Sequence, residues 1–321
     1  VPSVRKAVAV VSVLAMAGSA AGSAAAATGD ADVYAAPGPA PGLSAATLDL
    51  RYQAAGREIE RALATARHVR DGDRTRALTA FLGGGRRFLS FDPRGRGRVV
   101  EVIGDLRRAD RIAVVVPGAD NSLTNYDSPK FAGGGGRALY RQARAAAPGA
   151  RLALIAWLGY DSPSSLSTGV LTSGRAEEGA PVLRQLLTAV HRVNGHGRFA
   201  LLCHSYGSVV CAKAAPHLAP LPVDEIALFG SPGTTADSVA DLRTSARVWA
   251  GRAKGDWTRY VPNVRFAGLG FGRDPVSPGF GALRFDAGTG PHSAYLRPGS
   301  RALRNLALIA LGRAAEVTRA C

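Results

Sequence analysis

The residues best suited to chemistry gather around "FALLCHSYGSVVC", Phe199 to Cys211. A continuous apolar run ends in a short turn, and an apolar helical pattern begins directly after it. A serine at such a strand-to-helix bend is forced into a tight conformation that presents its hydroxyl above the sheet. The bend needs small residues two before and two after the serine, because strand and helix approach closely there. Gly207 fills the second of these positions and Cys203 the first. Ser205 is therefore a candidate nucleophile. The helix starting at Tyr206 also aims free N–H groups and a positive dipole end at the same point.

A serine hydroxyl is a weak nucleophile and needs a base, most often histidine. The chain has 6 histidines: His68, His191, His196, His204, His217 and His292. Ligands of an open parallel sheet bind beyond the carboxyl ends of its strands. Only His292, in "DAGTGPHSAYLRPG", occupies a loop after a strand at that end. His204 adjoins the serine but faces away from it in such a bend. The base then needs a carboxylate to fix its tautomer. Asp256, a few residues past the run "ARVWAG", is the favoured acid, and Asp274 in "GRDPVSP" is the alternative, better suited to bracing a loop. Attack creates an oxyanion that needs two donors. The Tyr206 N–H is one; Gly118 and Ala119, after "RIAVVVPG", are candidates for the other. Tyr160 and Asp161 in "WLGYDSP" follow the next strand and are candidate substrate contacts, although Asp161 also fits a turn preceding Pro163. Neither metal-ligand spacing nor a phosphate-cradling loop is present, so the reading calls for no metal and no cofactor.

These residues need a frame. Short apolar runs alternate with helical segments: "RIAVVVPG" (111–118), "RLALIAW" (151–157), "FALLC" (199–203), "EIALFG" (225–230), "ARVWAG" (246–251) and "ALRFDA" (282–287). Continuous apolar runs are what strands buried on both faces look like. Helices are predicted over 135–147, 175–193, 206–215, 236–242 and 300–320. "RRFLSFD" and "GRVVEVIGD" alternate apolar and polar residues around "PRGRG", a β-hairpin pattern. The fold class is α/β, with eight strands in a mostly parallel sheet and helices on both faces. An N-terminal helical segment (44–85) precedes the main domain (86–321), with Ser44 as a cap.

The motifs "VVVPGAD", "AWLGYDSP", "CHSYGS", "FGSPG", "FGRDPVSPGFGA" and "PHSAYLRPGSRALRNLA", in that order, resemble the α/β-hydrolase fold. Within it, the chain is similar to an actinobacterial family known only as a domain of unknown function. The resemblance covers roughly Phe88 to Leu311 and implies a serine-based triad in the order Ser205, Asp256, His292. It names no substrate. The chain departs from that family's pattern at Cys203, where glycine is usual, and places Asp120 beside the loop expected to hold the oxyanion.

Cys203 and Cys211 fit either a disulfide pinning helix to strand or two buried thiols. With 3 cysteines in all, a pair leaves Cys321 single. Residues 1–27 have Arg5 and Lys6, an apolar run and a small-residue tract, the order of a secretory signal peptide. That run is shorter than the roughly 20 residues of a transmembrane helix. A Pro/Ala/Gly-rich linker (28–43) follows. The protein is expected to be secreted, without a membrane span.

The net charge of +16 comes from scattered arginines. No basic run is interleaved with aromatics, so a nucleic-acid partner is not expected; a weak attraction to anionic cell-envelope surfaces is. The leading function is a serine hydrolase, esterase-like, acting on a small-molecule or lipid-like acyl ester. An extracellular acyltransferase using the same acyl-enzyme, and a non-catalytic binding protein on the same fold, are the alternatives. The short segment between Gly230 and Ala246 leaves little room for a lid there.

Overall fold

The computed structural model describes residues 33–320. The expected signal peptide, the start of the linker and Cys321 lie outside the described residues. Helix α1 (Leu48–His68) buries Leu48, Ala55, Ile59, Ala62, Leu63 and Ala66, an apolar stripe of helical period. It starts later than Ser44. Ser44 and Thr47 instead exchange side-chain-to-backbone hydrogen bonds (3.0 and 3.2 Å) in a turn before the helix. Helix α2 (Gly72–Leu82) is capped by Asp71, which accepts from Arg74 N at 3.0 Å. The described part of the linker has no helix or strand but is fastened to α1. Gly38 N donates to Glu58 Oε1 at 3.0 Å, and Arg51 donates to Pro41 O at 2.9 Å.

Strands β1 (Arg87–Asp92) and β2 (Arg98–Gly104) form the hairpin. β3 (Arg111–Val116), β4 (Leu152–Leu158), β5 (Arg198–His204), β6 (Val223–Phe229), β7 (Arg247–Gly251) and β8 (Leu283–Arg284) follow. The 8 strands form one sheet in the order β1-β2-β4-β3-β5-β6-β7-β8. β2 alone runs opposite to the other strands, antiparallel to both β1 and β4; the pairings among β3 to β8 are all parallel. This is an α/β-hydrolase sheet.

Alternate strand residues feed two cores. Ala113, Val115, Leu202 and Phe229 pack with α1, α2, α3 (Ala132–Ala146) and α6 (Arg301–Ala310). Val114, Val116, Leu201 and Cys203 pack with α4 (Gly174–Val193) and α5 (Gly207–Ala214). Both faces are therefore dry, which is why the strands read as unbroken apolar runs rather than alternating ones. The N-terminal helices reach the sheet at its β1 edge, four positions from β5 in the strand order. No helix among the described residues is long and apolar enough to cross a membrane.

Three elements differ from the sequence expectation. The helix over 236–242 shrinks to a single 3-10 turn at Ala240–Leu242. There Ser238 and Asp241 side chains take up the backbone N–H groups of Asp241 and Asp237, a local competitor to helix. Helix α6 stops at Ala310, where Gly312 adopts a left-handed φ of 72°. The chain then doubles back, so that Asp286 N donates to Thr318 O at 2.9 Å. The strand expected over 282–287 is only two residues long, β8 (Leu283–Arg284), and it follows the long β7–β8 connection (252–282).

Candidate active site

Ser205 stands at the end of β5 with φ 52°, a left-handed conformation that is strained for a residue carrying a side chain. Its N–H is anchored to Phe229 O at 2.9 Å. A Cβ on Gly207 would lie 2.5 Å from Val116 O and 2.7 Å from Pro117 O. Helix α5 can therefore start this close to β3 only with glycine there. Cys203 needs no such exemption, since its side chain points into the core shared with α5. Its sulfur is bonded to that of Cys211, with Cα atoms 6.4 Å apart.

Loops from three strands converge on the serine. His292 Nε2 lies 2.9 Å from Ser205 Oγ. His292 Nδ1 donates to Asp256, 2.9 Å from Oδ1 and 3.0 Å from Oδ2. Asp256 is fully buried and also accepts from Thr258 N at 2.8 Å, capping a short 3-10 turn that starts at Trp257. Asp274 is absent from this chain of bonds. It pairs with Arg252 at 2.6 Å and accepts from Val276 N, bracing the β7–β8 connection.

The loop after β3 presses against the serine: a Cβ on Gly118 would sit 2.6 Å from Ser205 Cβ. Its carbonyl is held by Ser162 Oγ (2.8 Å), Asn121 Nδ2 (3.3 Å) and the Tyr160 hydroxyl (3.3 Å). The N–H groups of Ala119 and Tyr206 have no acceptor among the described residues. Asp120 turns its carboxylate to Ser165 N at 2.9 Å, so its charge is already engaged. Tyr160 is 3% exposed and stacks on Trp157, with ring centroids 5.5 Å apart, while donating to Pro117 O at 2.8 Å. It supports the loop from behind and is not a substrate contact. Asp161 is exposed and lies 3.8 Å from Arg175.

Two neighbours of the site carry no spacing signal that sequence reasoning could use. The Tyr295 hydroxyl donates to Asp256 Oδ2 and accepts from Ala253 N at 3.0 Å. His204 Nε2 lies 3.1 Å from the His292 carbonyl, and the two rings pack with centroids 4.8 Å apart. His204 does face away from Ser205, but toward the backbone that carries the other histidine.

A family model described as alpha/beta hydrolase matches residues 92–266. The chain belongs to the α/β hydrolase family. The match includes Ser205 and Asp256 and stops short of His292. An uncharacterized protein of Mycobacterium tuberculosis is 33% identical over 262 residues, covering 70% of this chain and 39% of the relative. An uncharacterized protein of Mycobacterium bovis is 33% identical over 147 residues, covering 44% of this chain and 54% of its own. The chain thus spans about half or less of the curated relatives it matches. Among solved structures, esterase PE8 is 16% identical with a TM-score of 0.44, covering 64% of this chain and 94% of that one. Esterase LipW from Mycobacterium marinum is 13% identical with a TM-score of 0.42, covering 80% and 90%.

The electrostatics of this α/β hydrolase follow from the contacts. Burial alone raises the Asp256 pKa. Hydrogen bonds from His292, Tyr295 and Thr258 N–H, with the charge of His292, outweigh it and hold the carboxyl well below the usual carboxylate range. Burial, reinforced by the Asp256 charge, pushes the Tyr295 phenol far up, which keeps it a donor. Burial also lowers His204 to about 3, with His292 adding to the shift, so His204 stays neutral. A fixed carboxylate, an imidazole oriented by it and a strained hydroxyl thus stand in one line, beside two unengaged N–H donors.

Proposed function

We propose that this α/β hydrolase is a secreted serine hydrolase that cleaves an ester or related acyl bond. One observation carries the reading: the unbroken hydrogen-bond chain from Ser205 Oγ through His292 to buried Asp256. In this mechanism Ser205 Oγ attacks the carbonyl carbon while His292 Nε2 takes its proton. The oxyanion is received by the N–H groups of Tyr206 and Ala119. As the tetrahedral intermediate collapses, His292 returns the proton to the leaving oxygen and an acyl-serine remains. Water, deprotonated by the same imidazole, then releases the acid. Asp256 holds Nδ1 protonated and stabilises the imidazolium, without itself taking a proton.

The test is hydrolysis of p-nitrophenyl esters of increasing acyl length. Turnover that falls about 10⁵-fold or more in Ser205→Ala supports the reading. Turnover that survives the substitution, or none with any ester, refutes it. Secretion is checked separately, by N-terminal sequencing of protein recovered from the medium, with cleavage expected near Ala27.

A further inference from the structure

The β7–β8 connection leaves the candidate site and becomes unusually apolar on its outside. All three exposed aromatic side chains among the described residues lie between 257 and 266: Trp257 (55%), Tyr260 (78%) and Phe266 (82%). Val264 and Leu269 are also more than half exposed. Leu269 meets the β4–α4 connection, where Gly270 N donates to Leu171 O at 2.9 Å and Leu171 is itself exposed. Large apolar side chains exposed at this density along one connection mark an interaction surface.

The charges on the same stretch say what it fits. Lys254, Arg259, Arg265 and Arg273 are all exposed, and none pairs with a carboxylate among the described residues. The sole acid from 254 to 273 is Asp256, buried beneath His292. Carboxylates border the stretch without forming an ion pair to these four cations: Asp237 beside Gly272, Asp274 after Arg273, Glu177 within the field of Arg265 and Asp286 within that of Lys254. Amphipathic aromatic rings flanked by long basic side chains are the composition that settles at headgroup depth in an anionic bilayer.

We propose that the 254–273 connection is a docking surface for an anionic lipid membrane. The rings of Tyr260 and Phe266 and the Leu269 side chain enter the headgroup boundary, while Arg259 and Arg265 bind phosphate groups. The Trp257 ring packs on His292 with centroids 4.9 Å apart, so the docked face borders the candidate triad. Delivery of a membrane-resident acyl ester to Ser205 follows only if the hydrolase reading holds; the docking does not depend on it.

The experiment is co-sedimentation of the full chain with phosphatidylglycerol-containing vesicles and with pure phosphatidylcholine vesicles. Tryptophan fluorescence is recorded alongside, with and without brominated lipid. Trp157 and Trp249 are buried, so quenching reports Trp257. The expected result is binding to anionic vesicles with quenching, weakened roughly 30-fold in Arg259→Ala/Arg265→Ala, where two charges are lost. Tyr260→Ser/Phe266→Ser removes the quenching, and circular dichroism checks its fold. Ser205→Ala binds like the parent, which separates docking from catalysis. No binding to anionic vesicles, equal binding by both double variants, or binding without quenching overturns the proposal. So does self-association that Phe266→Ser abolishes while vesicles are ignored.

Discussion

Replacing Asp256 by Asn changes one atom, and the surrounding bonds dictate its consequence. Oδ1 accepts from Thr258 N at 2.8 Å, so the amide nitrogen cannot sit there without facing another donor. It takes the Oδ2 side, toward Tyr295 and His292 Nδ1, because the Tyr295 hydroxyl, unlike the Thr258 N–H, can rotate to accept. From there it donates to Nδ1, and the imidazole switches tautomer. The proton then sits on Nε2, 2.9 Å from Ser205 Oγ, where the base needs a lone pair. A wrong-tautomer base costs about 10⁴-fold in kcat, or about 5.5 kcal/mol of barrier. Asp274→Asn instead weakens the 2.6 Å contact with Arg252. It costs about 1–3 kcal/mol of stability and leaves kcat within a few-fold. The assay is steady-state and single-turnover hydrolysis of the best p-nitrophenyl ester for both variants, with urea unfolding alongside. Asp256→Asn within tenfold of the parent, or Asp274→Asn as inactive as Asp256→Asn, would refute the assignment of the acid.

Tyr295→Phe removes one donor from the buried carboxylate and should lower kcat about tenfold with KM unchanged; an unchanged kcat denies Tyr295 a positioning role. His204 gives a pH signature. Its folded-state pKa is lowered to about 3 from 6.5. The unfolded chain therefore binds a proton there below pH 6.5 that the folded chain refuses until about pH 3, and stability falls on acidification across that window. Urea midpoints at pH 7 and pH 5 should show His204→Gln losing less stability than the parent, by about 1.4 kcal/mol per unit below pH 6.5; identical losses contradict this. Reducing the Cys203–Cys211 bond, which closes a loop with sequence separation 8, should cost about 2.5 kcal/mol by loop entropy. Thiol titration of the unfolded, unreduced chain should find one of the 3 cysteines free; three free thiols rule the bridge out.

Much of this site is legible because the sheet broadcasts its own geometry. Strands buried on both faces leave apolar runs such as "FALLC" and "RIAVVV", and the residue after each run is then placed at the rim without further knowledge. Ser205, Asp256 and His292 are found that way, and Gly207 announces the tight approach that the backbone of Val116 and Pro117 enforces. Residues whose importance is purely tertiary stay silent. Tyr295 is three positions after His292, a spacing with no periodic meaning, and touches Asp256 only because the loop folds back. Tyr160 follows a strand end just as Asp256 does, yet stacking on Trp157 turns it under the loop. Helix ends fail for a related reason. Nothing local in "GRAAEVTRA" says that the chain will return to Asp286. The excursion over 252–282 also lacks the apolar periodicity that reveals an element, since Trp257, Tyr260 and Phe266 face outward while Phe271 and Phe280 turn into the core.

Covalent labelling is the shortest route to the proposed role of Ser205 as a nucleophile made reactive by its neighbours. A fluorophosphonate probe should form one adduct per chain, mapped by peptide mass spectrometry to Ser205, absent in Ser205→Ala and much slower in His292→Ala. A folded protein that takes up no probe, or takes it up on another residue at the same rate in all three proteins, would contradict the account.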